Sequence, residues 1–175
     1  FNDFKNGFIN FSSRGSNELN DTNNLKTKII NDFNFKSLNL ISDIGFNNNF
    51  SLNFKNLNTI GKNDTNYKSS PQIELMSIIE YQSSFPLIKE TEKNINYLTP
   101  KISLRLNPGD MKNSNKLDRS INTDNIFDLN RLGLDDSFEE GKSLTIGLDY
   151  KKTSLENINK FFETKIATVM RDKEE

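Results

Sequence analysis

Cysteine, histidine and tryptophan are absent from these 175 residues, and proline occurs only four times. Without cysteine there is neither a disulfide nor a thiolate metal ligand. Without histidine the usual neutral-pH base and commonest metal ligand is missing. An excess of charge of one sign is lacking too. The 23 Lys and Arg against 24 Asp and Glu leave a formal net charge of −1, which gives neither a basic field for nucleic acid nor strong acidic self-repulsion. No run approaches the ~18 consecutive apolar residues of a membrane-spanning helix, and no charged-then-apolar leader stands at the front. These absences argue against nucleic-acid binding, a helical membrane protein and most familiar catalytic devices.

What is present is a polar chain with many aromatic anchors. Hydrophobic residues make up 33% and the mean hydropathy is −0.70, yet there are 14 Phe and 4 Tyr. That is too many for a chain that stays unfolded. The dominant pattern has period two. Leu25, Thr27, Ile29, Asn31, Phe33 and Phe35 make one mostly apolar parity; Lys26, Lys28, Asp32, Asn34 and Lys36 make the other polar, and Ile30 alone breaks the rule. Near Ser37 the parity flips to Leu38 and Leu40, the mark of a β-bulge or a new strand. The alternation returns at Phe50–Lys55, Ile73–Gln82, Lys101–Leu106, Ser143–Tyr150 and Phe162–Met170, with a weaker opening strand over Phe8–Ser13. Between these runs Gly15–Asn24, Gly61–Ser70, Pro108–Asn115 and Gly133–Gly141 are dense in turn formers, and Ser154–Lys160 has the pattern of one short helical turn. The expected fold is all-β: an antiparallel meander of about eight or nine strands.

Alternation of this kind fits two architectures. In a soluble sandwich the apolar face meets a core; in a membrane barrel it meets lipid while the polar face lines a wet lumen. Asn31 and Thr27 on the apolar parity favour the first. Heavy charge on the other parity, together with connections that alternate between compact turns and longer loops, favours the second.

The stretch from Tyr97 to Tyr150 carries a more specific signal. Tyr97-Leu98-Thr99-Pro100-Lys101-Ile102-Ser103-Leu104 opens a strand around a proline. Asp124-Asn125-Ile126-Phe127-Asp128-Leu129-Asn130-Arg131-Leu132 follows, and Asp136, Glu139 and Gly141 come at fixed spacing after it. This composite resembles the barrel domain of the LptD-type lipopolysaccharide-assembly proteins, with their D-N-L-F-x-x-N-R-F and D-R-x-E-x-G runs. Leu132 stands in place of a Phe, Ser137 in place of an Arg, and the glycine after the Asn-Arg pair is shifted to Gly133. The likeness is strong over about a third of the chain.

The resemblance implies a large outer-membrane barrel of about twenty-six strands, of which residues 1–175 supply an open part; both ends of the chain read as cut. It also implies lipopolysaccharide as cargo, an LptE-like plug lipoprotein and the components of a periplasmic bridge as partners, outer-membrane lipid as surroundings, and no cofactor. A general outer-membrane porin and a soluble β-sandwich binding domain are the alternatives.

Asp124, Asn125, Phe127, Asn130, Arg131, Asp136, Glu139 and Gly141 are therefore the candidate site residues. They read first as a structural cluster in which Arg131 pairs with carboxylates and ties a loop to the barrel wall. Contact of Arg131 with lipopolysaccharide phosphates is the sharper reading, since a guanidinium grips phosphate by a forked hydrogen bond. Gly141-Lys142-Ser143 is no P-loop: the earlier glycine would stand at Asp136, and a strand follows instead of a helix. The acids between Asp124 and Glu140 match no EF-hand spacing and are expected in solvated loops. No nucleophile, base and metal-ligand set assembles, so no enzyme is expected.

Overall fold

The computed structural model describes residues 7–109 and 120–172. Nine strands form one antiparallel sheet: β1 (Gly7–Asn20), β2 (Asn24–Ser37), β3 (Leu40–Ile41), β4 (Asn47–Lys62), β5 (Gln72–Ser84), β6 (Leu87–Glu90), β7 (Asn94–Asn107), β8 (Gly141–Ser154) and β9 (Phe161–Arg171). The long strands pair in sequence order, a meander, with β3 and β6 as short pieces beside β4 and β7.

Those short pieces continue longer strands. Lys36 faces Ser51, but Leu40 faces Asn48; four steps along one strand match three on the other, so the parity flip near Ser37 is a β-bulge. The break at Phe85-Pro86 keeps register, because Ser84 faces Lys101 and Leu87 faces Leu98. The Phe85 amide still donates to the Pro100 carbonyl at 3.0 Å across it.

Two local expectations change. Gly15–Asn20 is strand, not loop: it pairs with β2 residue by residue up to Asn20↔Asn24. The hairpin closes through Asp21 and Thr22 at φ 51° and 59°, the left-handed pair of a tight primed turn. Its polar composition concealed the strand because hydrogen bonds between backbones do not need apolar side chains. Ser154–Lys160 makes a turn, held by Ser154 N–H to Lys160 C=O at 3.0 Å, and no helix. Of the Pro108–Asn115 segment only Pro108 and Gly109 fall within the described residues.

The stagger is that of a barrel wall. One row of paired residues runs Phe8, Lys36, Ser51, Glu80, Arg105, Ser143, Arg171. It starts at the second residue of β1 and ends on the last residue of β9, although the two strands run the same way. Each strand therefore slips by roughly one to two residues past its neighbour, the shear that tilts barrel strands by about 35–45°.

Burial is inverted relative to a water-soluble sheet. Among the described residues fifteen polar or charged side chains are buried against seven hydrophobic ones. The buried set includes Asp32, Lys55, Glu80, Ser103, Arg105, Ser143 and Thr145, all on the polar parity. The apolar parity is open: Phe54, Leu75, Ile79, Leu104, Ile146, Ile166 and Met170 are all exposed. What covers the polar face is the chain itself, residues 120–140 between β7 and β8.

Candidate functional site

Residues 120–140 contain no regular element, yet Ile126, Arg131, Leu134, Asp136, Ser137, Phe138 and Glu139 are all buried. An irregular segment can be buried only where its polar groups find partners. Two tight folds supply many of them. The Asn122 N–H donates to the Asn125 side chain at 2.8 Å, and the Asn125 amide donates to Ser120 C=O at 3.0 Å. Farther on, the Asn130 amide donates to Leu134 C=O at 2.7 Å and accepts from Leu134 N–H at 3.0 Å. Gly133, at φ 63°, sits inside that second fold. Asn130 thus closes the turn that sets the direction of Arg131.

Arg131 is 3% exposed and Glu139 is 2% exposed. The guanidinium holds the Glu139 carboxylate through both Nε, at 2.6 Å, and Nη2, and its Nη1 donates to Thr145 Oγ1 on β8 at 3.2 Å. Arg105 on β7 meets the same carboxylate, and Arg171 on β9 reaches it at 3.3 Å. Asn107 donates to the Glu139 carbonyl at 3.1 Å. The Glu139–Arg131 pair therefore ties the loop to three strands, the carboxylate to β7 and β9 and the guanidinium to β8. Burial by itself pushes the Glu139 carboxyl up, but the hydrogen bonds and charge of Arg131 and Arg105 outweigh it and hold the group below its ordinary value. It is an anion at neutral pH.

A second anchor lies toward β1. Asp135 accepts from Arg14 at 2.6 Å and Lys28 at 3.1 Å, while Lys55 donates to the Asp135 carbonyl at 2.7 Å and pairs with Asp32 at 2.9 Å. Here too burial raises the Asp135 carboxyl, and Lys28 and Arg14 lower it by more. Between the two anchors Phe138 packs on Ile30, Leu57, Met76 and Ile78, with the Lys55 ammonium 5.1 Å from its ring centre. The isoleucine that breaks alternation in β2 is thus the floor of an apolar seat for the loop.

Phe127 forms a third contact. A Cβ at Gly147 on β8 would stand 2.6 Å from the Phe127 ring, so only a glycine admits the ring this close to the sheet. The Phe127 carbonyl accepts from Gln82, and the Lys101 ammonium, paired with Asp149, lies 5.7 Å from the ring centre.

Seven of the eight sequence-derived residues lie in the docked segment. Gly141, at φ 82°, begins β8 where the segment rejoins the sheet opposite Asn107. Arg131 and Glu139 come together. Asp136 is buried in the same segment, and Asp124 at its outer margin pairs with Lys165 on β9 at 3.0 Å. The expectation that these acids sit in a solvated loop is corrected for Asp136 and Glu139, which are buried. Among the described residues no group of three or more acids stands close enough to hold a metal ion.

Sequence reasoning missed Arg105, Thr145, Arg171, Phe138 and Gly147. Gly147 carried a usable signal, since a glycine inside an alternating strand marks a close approach; Arg105 and Arg171 lie far from the motif in sequence, and Phe138 and Thr145, though in or near it, belong to no part of its pattern. No protein-family model, curated protein or solved structure matches the chain.

Proposed function

We propose that this chain is part of the wall of a large outer-membrane β-barrel that delivers lipopolysaccharide to the outer leaflet. The observation that supports the wall is the inverted burial: charged side chains paired on the covered face, and Phe, Leu and Ile bare on the other. A soluble sandwich would cover the apolar face instead. The width of the apolar band agrees. On β8 the outward column Leu144, Ile146, Leu148 and Tyr150 is bounded by Lys142 and Lys152. The ten residue steps from Lys142 to Lys152, at ~3.4 Å rise and tilted by ~45°, span roughly 24 Å, close to the ~25 Å apolar belt of such barrels. No helix among the described residues is long and apolar enough to cross a membrane, so any crossing is by strands.

The cargo reading rests on the resemblance of Asp124–Gly141 to the LptD-type run, joined to its placement on the inner face. No covalent chemistry is needed. A phosphorylated saccharide requires a passage whose wall is polar and already hydrogen-bonded, while its acyl chains require an apolar exterior; the two parities supply one each. An LptE-like plug and a periplasmic bridge would complete such a machine. A passive channel is the competing reading, and a loop docked on the inner face suits a pore constriction as well.

Depletion of the full-length protein in its own cells separates them. Newly made lipopolysaccharide is expected to disappear from the cell surface, as read by surface labelling, while solute uptake is unaffected. Normal surface lipopolysaccharide with reduced solute permeation would instead establish the channel.

A further inference from the structure

The two rims of the apolar band differ. Three connections leave on one side: 42–46, 91–93 and 155–160, all short. On the other leave the tight turn 21–23 and the two longest connections, 63–71 and 108–140. Short turns belong to the periplasmic side of such barrels and long connections to the exterior, which places the first rim at the inner leaflet.

At that rim three separate segments meet. The Leu155 N–H donates to Lys93 C=O at 2.9 Å, and the Ser154 N–H donates to Lys160 C=O at 3.0 Å. These backbone bonds bring Lys93 from the β6–β7 turn, Lys152 from the end of β8 and Lys160 from the β8–β9 turn around one groove of about 620 Å³. Phe161 and Phe162 line it as well, with Glu156 the single acid. Among the described residues none of the three lysines is ion-paired. Lys152 faces Phe162 across β8 and β9, one step beyond the outward Tyr150, whose ring lies 6.2 Å from that of Phe162.

We infer that this groove binds the headgroup of an anionic glycerophospholipid from the inner leaflet. Three ammonium groups against one carboxylate favour a phosphodiester of net negative charge. The outward pair Tyr150 and Phe162 sits at the depth of the glycerol backbone, where a tyrosine ring with one apolar and one wet side is preferred, and the apolar column of β8 continues from there along the acyl chain. Zwitterionic lipid gains much less, because its own ammonium competes for the phosphate. The site rests on the barrel reading above and adds a ligand to it.

The test uses the full-length protein in phosphatidylcholine vesicles, with spin-labelled phosphatidylglycerol and phosphatidylcholine as probes of protein-contacting lipid. Wild type is expected to prefer phosphatidylglycerol, and the triple variant Lys93→Gln/Lys152→Gln/Lys160→Gln to lose that preference by about threefold or more. The triple Lys→Arg variant, which keeps the charge, retains it. The site is overturned if the glutamine variant keeps full selectivity, if Lys142→Gln at the opposite rim removes it instead, or if unlabelled lipopolysaccharide displaces the probe where phosphatidylglycerol does not. Protein that floats with the vesicles but shows no selectivity removes only the lipid site; protein that does not float removes the barrel with it.

Discussion

Glu139 is the residue on which the docked loop turns. Its carboxylate meets Arg131, Arg105 and Arg171, and its own backbone carbonyl takes the Asn107 amide. Ion pairs this deeply buried add little net stability over a well-packed apolar core, but removing one partner strands the others. Glu139→Gln leaves three guanidiniums around a neutral amide and is expected to cost about 3–5 kcal/mol, measured by urea unfolding of the detergent-extracted protein. The pH dependence has a fixed sign. The carboxyl sits below its ordinary value of 4.5 in the folded chain, so the unfolded chain takes up the proton first. The stabilisation is complete above pH 4.5 and is lost as the pH falls through the lower folded value. In Glu139→Gln this acid limb of the stability curve should flatten; an unchanged limb would show that Glu139 is not the titrating group.

At the scale of elements, strands and loop follow different rules. The strands were legible because outward and inward neighbours alternate, and all seven expected runs fall inside β1, β2, β4, β5, β7, β8 and β9. The docking of 120–140 was not, because its partners are set by which strands the sheet brings side by side. Arg105 is 34 residues from Glu139, and Phe138 finds its seat on β2, β4 and β5. The motif residues, the odd parity of Ile30 and the glycine at 147 were the signs in the sequence that something covers the polar face. The Phe127 contact gives a direct measure of this docking. Gly147→Ala forces the ring away and is expected to cost about 1–3 kcal/mol, as overpacking does. With Phe127→Ala already present the same change should cost almost nothing. A double-mutant cycle reads the coupling; strictly additive effects would mean that the ring does not rest on Gly147 in solution.

At the scale of the whole molecule the question is which solvent meets the bare face. Ile146 lies midway along the outward column of β8 and is 45% exposed. If hydrocarbon is that solvent, Ile146→Lys destabilises the folded barrel by about 2–4 kcal/mol. In water the same substitution would be neutral or would improve solubility, so unfolding in lipid vesicles decides between them. The sequence alone determined the antiparallel strands, their two faces and most of their turns, since a two-residue period needs only local backbone geometry to express itself. Which face is covered was decided by the tertiary structure. Alternation is symmetric between inside and outside, and only the folding of 120–140 onto Arg105, Thr145 and Ile30 breaks that symmetry, burying the charges and leaving Phe, Leu and Ile bare.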